Sequence, residues 1–476
     1  MDSKMISFFR YCLLAVAIPA ALTVRSQGKA AITRPVYSAI VAPERLPPNF
    51  YLKTLSNGLQ VLVIEDHTVP IFNIEIAVKN GSYTESPAFN GLSHLYEHMF
   101  FKANKRYPSQ EAFLARINEL GMDFNGTTSE ERVNYFFTTQ KIYLDEGIEF
   151  MADAVQFPLF SAPEMKKENV VVDGEFQRQE SSPGHFLYDT LNRALWGTLY
   201  SRKNVIGNHQ VILTATPEKM KIIQEKYYVP NNSLLTVAGD VSHEVAFALV
   251  EKNLGGWASS GKNPHTVYPE PAFTPIPATR YIVIDKSIAR TPIIALAWHG
   301  PSVAADPEST YCADVFSAIL SQNSSSLQQK LVNSGLALSA SISYSTLAHT
   351  GPVELGVDPN PDKIPECLAM IKAELSRFAA PDYFTDEQLA KAKSEIVIGD
   401  AYTREQSSVL IHEVSYYWCS GGLGYYAGYL NHIGGVSRAD IQHYLRKYII
   451  GKPYIAAMIL SPELRKSSNA DLFFKP

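Results

Sequence analysis

Two short apolar runs open the ordered pattern of this chain, Gln60–Glu65 and 72–78; the second alternates apolar with polar residues, and both predict β-strands. The period then changes to that of a helix. One helix is predicted from about Asn90, and a second from near Pro108-Ser109-Gln110-Glu111 to Gly121, where glycine is the ordinary C-terminal stop. Strands are predicted again over 123–128 and 133–139. Helices follow over about 142–156, 163–181, 185–195 and 217–227, and a buried strand over 234–239.

The second part of the chain repeats this order. Val61-Leu62-Val63-Ile64-Glu65 aligns with Tyr281-Ile282-Val283-Ile284-Asp285 at an offset of 220, and the strand after it with Ile293-Ile294-Ala295-Leu296-Ala297-Trp298. At the far end, residues 220–227 and 234–237 are matched at an offset of 221 by 441–448 and 455–458. Such self-similarity marks two copies of one α+β domain. Between the copies lie Gly255-Gly256-Trp257 and prolines 264, 269, 271, 275 and 277, the composition of a semi-rigid linker. Prolines 35, 43, 47 and 48 make residues 29–50 an extended lead-in.

Composition excludes more than it assigns. At 476 residues the chain is too long for a single core. A net charge of −5 without a basic stripe excludes nucleic acid as an expected partner. Lys4 and Arg10 precede the apolar segment 11–24, and Ser26, Gly28 and Ala30 follow it, the layout of a signal peptide over residues 1–28. That segment is shorter than a bilayer-spanning helix, so an exported, periplasmic chain with no membrane anchor is expected. Loss of Asp2, Lys4, Arg10 and Arg25 would take the charge from −5 to −7. Cys312, Cys367 and Cys419 remain, an odd number without metal-site spacing, and read as small buried hydrophobes.

The chemistry is concentrated in Gly91-Leu92-Ser93-His94-Leu95-Tyr96-Glu97-His98-Met99-Phe100. His94 and His98 are four apart and share a helix face, and Glu97 leans toward it. A hydrolytic zinc site needs that combination: neutral nitrogen ligands one turn apart and a carboxylate that takes a proton from water without binding the metal. The order His-x-x-Glu-His is the inverse of the commoner motif. A third ligand is required. Glu168 and Glu175, seven apart on the helix that begins at Pro163, share a face able to look at the two histidines. Alone they would read as a charged helix face beside Lys166 and Lys167. The matching stretch of the second copy, Ser309-Thr310-Tyr311-Cys312-Ala313-Asp314, has no such set, so only the first copy is expected to be catalytic.

With these residues the chain resembles the pitrilysin/insulinase family of zinc metallopeptidases, in particular its bacterial, processing-peptidase-like branch and the metal-bearing subunit there. In that family the inverted motif is followed about seventy to eighty residues on by a glutamate ligand, with a second glutamate seven residues before it; Glu175 follows His98 by 77. The resemblance implies one Zn2+ per chain held by His94, His98 and Glu175, with Glu97 as general base and Glu168 supporting the site. It implies that Asn125 lies on an exposed sheet edge that takes up the substrate backbone as an added strand. The implied fold is α+β, two tandem homologous domains, each a mostly antiparallel sheet with helices packed on one face, forming a clamshell. The expected division is a catalytic zinc domain over 51–262, a linker over 263–277 and a homologous non-catalytic domain over 278–476. The implied activity is endopeptidase cleavage of peptides or unfolded protein segments; the alternative is a non-catalytic scaffold or peptide-binding subunit.

The chain departs from the family in one place. Active members carry, in the second domain, an arginine and a tyrosine seven apart around Gly-Leu-Ala-Tyr; here Leu331 and Leu338 stand at those positions, in Ser326–338. The departure implies a related subunit, bearing the Arg/Tyr pair and lacking the zinc motif, as partner. Lys330 and Tyr344 are the alternative sources of those donors within the chain.

Overall fold

The computed structural model describes residues 45–475. The expected signal peptide and nearly all of the lead-in lie outside the described residues. Strands β1 (Phe50–Thr54), β2 (Gln60–Glu65), β3 (Ile71–Val78), β4 (Asp123–Thr128), β5 (Val133–Gln140) and β6 (Ser233–Gly239) form one sheet in the order β1-β2-β6-β3-β5-β4. Strands β7 (Arg280–Asp285), β8 (Ile293–His299), β9 (Ala337–Tyr344), β10 (Pro352–Pro359) and β11 (Ile455–Leu460) form the other, β7-β11-β8-β10-β9. Without β1, the two orders are the same. Each sheet is antiparallel except for one parallel pair, β2 with β6 and β7 with β11, which stand at equivalent positions. The 220-residue echo in sequence is thus an echo in topology, and the fold is α+β with two homologous sheets.

Helices α1 (Leu92–Phe100), α2 (Gln110–Glu119), α3 (Leu144–Gln156), α4 (Ala162–Gln179) and α5 (Pro183–Trp196) follow the predicted order. The apolar faces of α1 to α4 close the core of the first half over one side of the sheet, where Val61, Val63, Phe72, Ile74 and Ile76 meet Leu95, Met99, Phe113, Ile148 and Val172. The second half builds a matching core around Ile294, Leu296, Phe316, Leu331 and Leu355. Cys312, Cys367 and Cys419 are free and buried.

The opposite faces of the sheets are covered by exchange. Leu187, Leu191, Leu195 and Trp196 of α5 pack on Ala295, Ala297, Ile455, Ala457 and Ile459 of the second sheet. The helical span Ser407–Gly435, broken by a kink at Gly422, returns the favour, its first part laying Leu410, Ile411, Val414 and Trp418 on Leu62, Ile64, Leu234 and Ala238 of the first. Alternation in β3 would suit a strand wet on one side, yet its polar residues Asn73 and Glu75 are buried at 1% and 0% exposure. They meet polar partners on the incoming helix: Asn73 donates to Ser407 Oγ at 2.7 Å, and Glu75 pairs with His412. Buried polar groups need such partners, which pins the halves in one register. Because Leu191 is fully buried against the other half's sheet, Leu191→Ala should cost about 2–5 kcal/mol of stability by denaturant titration. A cost under about 1 kcal/mol would count against the exchange as a stabilising interface.

Candidate metal centre

Helix α1 is placed by three devices. Its N-terminal residue Gly91 has φ 93 and crosses Gly207, also at φ 93, so closely that a Cβ on Gly91 would sit 2.6 Å from Gly207 Cα. Glu85, six residues ahead, caps the helix: its carboxylate accepts from the N–H of Gly91 and of Ser93, each at 2.7 Å. Burial pushes the Glu85 carboxyl up to about 7, against the pull of those N–H groups. Aromatic packing fixes the buried side, with Tyr96 stacked on Tyr228 at 4.0 Å and Phe100 on Tyr135 at 3.6 Å between ring centroids.

The other side of α1 carries His94 and His98, and α4 packs alongside it. His94 Nε2 and His98 Nε2 lie 3.7 and 3.8 Å from Glu175 Oε2, and one donor atom from each of the three lies within 4.8 Å of the others. Tetrahedral zinc with ligands at about 2.0–2.2 Å sets its donors about 3.3–3.6 Å apart, so the two histidine–Glu175 separations fit the ion with closure of a few tenths of an ångström. Burial, with His98 adding to it, pulls His94 down to about 3, which keeps the ring in the neutral form that ligates.

Glu168 and Glu175 divide the work two turns apart on α4. Glu175 faces the histidine Nε2 atoms, whereas Glu168 sits behind them: Oε1 accepts from His98 Nδ1 at 2.9 Å and Oε2 pairs with Lys102 Nζ at 2.7 Å. A proton held on Nδ1 leaves Nε2 as the lone-pair nitrogen turned toward Glu175. Glu97 is buried beside this group, and burial raises its carboxyl to about 7, opposed mainly by a hydrogen bond from Thr128 Oγ1 to Oε2 at 2.5 Å. The backbone of β4 passes close enough that a Cβ on Gly126 would stand 2.9 Å from Glu97 Cγ. Asn125 sits on β4, the open edge of its sheet, and its Oδ1 accepts from Gly126 N at 2.9 Å.

All the sequence-marked residues are therefore brought to one place, though Asn125 is near it through its strand rather than by contact with the donors. Three residues were missed: Glu85, Lys102 and Thr128. Lys102 follows His98 by four, just past the end of α1, a spacing that offered a signal; Glu85 and Thr128 act across loop and strand contacts with no local period.

For His98, burial pulls the ring down but the hydrogen bond it donates to Glu168 and the nearby carboxylates outweigh it, and the pKa is raised. A protonated ring cannot ligate, so zinc affinity should begin to fall above the ordinary histidine range near 6.5 and go on falling as pH drops through it. Chelator competition across that range checks this, and a flat profile would count against His98 as a ligand.

The sequence description of insulinase (peptidase family M16) matches residues 60–207, and that of the peptidase M16 inactive domain matches 214–396. The chain belongs to this family. It is 27% identical over 209 residues to YmxG of Bacillus subtilis, described as an uncharacterized zinc protease; the match spans 44% of this chain and 51% of that protein. Among solved structures, a protease from Helicobacter pylori is similar with a TM-score of 0.79 and 23% identity, covering 87% of this chain and 99% of that one. The periplasmic protease PqqL from Escherichia coli is similar with a TM-score of 0.72 and 18% identity, over 90% of this chain and 49% of PqqL. The M16 inactive-domain match runs largely through the half without a donor set. Among the described residues, no helix is long and apolar enough to cross a membrane.

Proposed function

We propose that this chain is a zinc-dependent endopeptidase that hydrolyses peptides or unstructured protein segments. The observation that carries the reading is the convergence of His94, His98 and Glu175, with donor atoms within 4.8 Å of one another, beside the buried carboxylate of Glu97. His94, His98 and Glu175 hold the ion; bound there, zinc supplies the Lewis acidity that polarises a carbonyl and acidifies water. Glu97 takes the proton of the attacking water at Oε1, the oxygen that Thr128 leaves free, and delivers it to the leaving amine nitrogen. Glu168 holds the Nδ1 proton of His98 and so orients that ligand.

The open edge of β4 beside Glu97 accepts an extended backbone as an added strand, with Asn125 on that edge. Only a segment free of its own secondary structure fits such an edge, hence peptides and unfolded regions as substrates. Export to the periplasm is supported by the apolar N-terminal segment and by the likeness to PqqL, described as periplasmic. A scaffold subunit needs no complete donor set, which disfavours the non-catalytic alternative.

We assign the chain the role of active subunit in a heterodimer. Leu331 is fully buried in the second core, and Leu338 is exposed but apolar. Lys330 is paired with buried Glu374 at 2.6 Å, and Tyr344 donates to Pro301 O at 3.1 Å. Both possible substitutes for the Arg/Tyr pair thus have partners within the second half. Zinc content of the purified chain together with cleavage of an unstructured peptide tests the reading; a chain that binds no zinc and cleaves nothing with or without its co-purifying partner would refute it.

A further inference from the structure

The turn from β4 to β5, Ser129-Glu130-Glu131-Arg132, has the composition of a solvated loop, and it is closed by Ser129 N donating to Arg132 O at 2.8 Å. It packs against the half that carries no donor set, with Glu131 buried and its neighbours partly so. Glu131, 8% exposed, accepts from the N–H of Ala348 at 2.6 Å, the N–H of His349 at 3.0 Å and the His349 ring Nδ1 at 2.9 Å. Arg132 donates to His412 O at 2.6 Å and to Ser415 Oγ at 2.8 Å on the long helix Ser407–Gly435. Glu130 pairs at 2.5 Å with Lys203, whose ammonium also reaches Thr350 O at 2.8 Å. Glu131 and Arg132 therefore bind the second half directly and Glu130 does so through Lys203 of its own half, and the residue just before the turn, Thr128, holds Glu97.

Charged side chains are costly to bury, and their mutual arrangement is stiff when each is satisfied by several donors. The second half supplies backbone N–H groups, a ring nitrogen and helix-borne acceptors to one four-residue turn. That turn continues directly into the strand whose Thr128 hydroxyl fixes one oxygen of the Glu97 carboxylate.

We propose that Thr128 and Glu131 are positioning residues: the half without a donor set clamps the β4–β5 turn through Glu131, and Thr128 transmits that constraint to the Glu97 carboxylate. The proposal rests on the reading of Glu97 as proton acceptor. It gives the second half a part in the reaction, that of aiming the base, in addition to its interface.

The test is steady-state cleavage of a quenched unstructured peptide by the full chain in its active assembly, with zinc content and thermal unfolding measured on every variant. Thr128→Val should lower kcat by about 10–10²-fold, the cost of a misaimed group, with KM changed less than about twofold and zinc retained. Thr128→Ser, which keeps the hydroxyl, should restore most of the rate. Glu131→Gln should lower kcat in the same way while zinc content stays at the wild-type level; if that variant does not fold, His349→Ala, which removes one of the three hydrogen bonds, takes its place. Residues acting as one unit are not additive. In the Thr128→Val background the Glu131 change should therefore lower kcat by less than about twofold further. Wild-type kcat in Thr128→Val, full multiplication of the two effects, or zinc lost from Thr128→Val overturns the proposal. Turnover that survives Glu97→Gln removes the reading beneath it, and the proposal with it.

Discussion

Glu97→Gln will keep one zinc per chain and lose peptide hydrolysis by about 10²–10⁴-fold. The amide is nearly isosteric with the carboxylate and can still accept from Thr128 Oγ1, so the buried pocket around residue 97 stays filled and satisfied. What disappears is the ability to take a proton. The donors His94, His98 and Glu175 are untouched, and Glu168 still holds His98 in the tautomer that ligates. A His94→Ala/His98→Ala double variant should behave in the opposite way, since one carboxylate oxygen cannot retain the ion at ordinary concentrations. Elemental analysis separates the roles: zinc missing from Glu97→Gln, or present in the double variant, would overturn them.

The second large effect is expected from a partner. A related subunit that carries an arginine and a tyrosine seven apart should raise turnover by the purified chain by about 10²–10³-fold, the usual cost of lacking a donor at the developing oxyanion. The local structure explains why the chain does not supply that donor. Residues 328–332 form a π-helical turn that points Leu331 into the second core and leaves Lys330 paired with Glu374. A π-turn shifts the register of the residues after it, and Leu338 emerges at the start of β9, 61% exposed, with no polar atom to offer. Introducing arginine at 331 would place a cation in a closed apolar core, so rescue from within the chain is not expected. Full turnover by the chain alone, unchanged when the partner is added, would refute the division of labour.

The histidine pair and its carboxylate were legible because they are local: one turn of helix brings positions 94, 97 and 98 together whatever the rest of the chain does. Glu175 was less so. Seven-residue spacing places Glu168 and Glu175 on one face, but which of the two turns to the histidines depends on how α4 docks on α1. There Lys102 draws Glu168 behind His98 and leaves Glu175 for the front. The duplication was legible for a similar reason, since the same succession of apolar runs recurs at an offset of 220.

The local and repeating facts were determined by the sequence itself: which segments are strands and helices, that the chain is two copies of one unit, and that one copy alone carries the His94-Glu97-His98 motif. Tertiary structure decided the facts that join residues far apart in the chain. Alternation in β3 marked Asn73 and Glu75 as the polar side of a strand, and only the arrival of Ser407 and His412 from the other half makes that side interior. The charges of Ser129–132 look the same in sequence whether water or Ala348 and His349 satisfy them. Hydrophobic periodicity records how much of a side is apolar. It does not record which distant backbone or side chain replaces water at the polar positions.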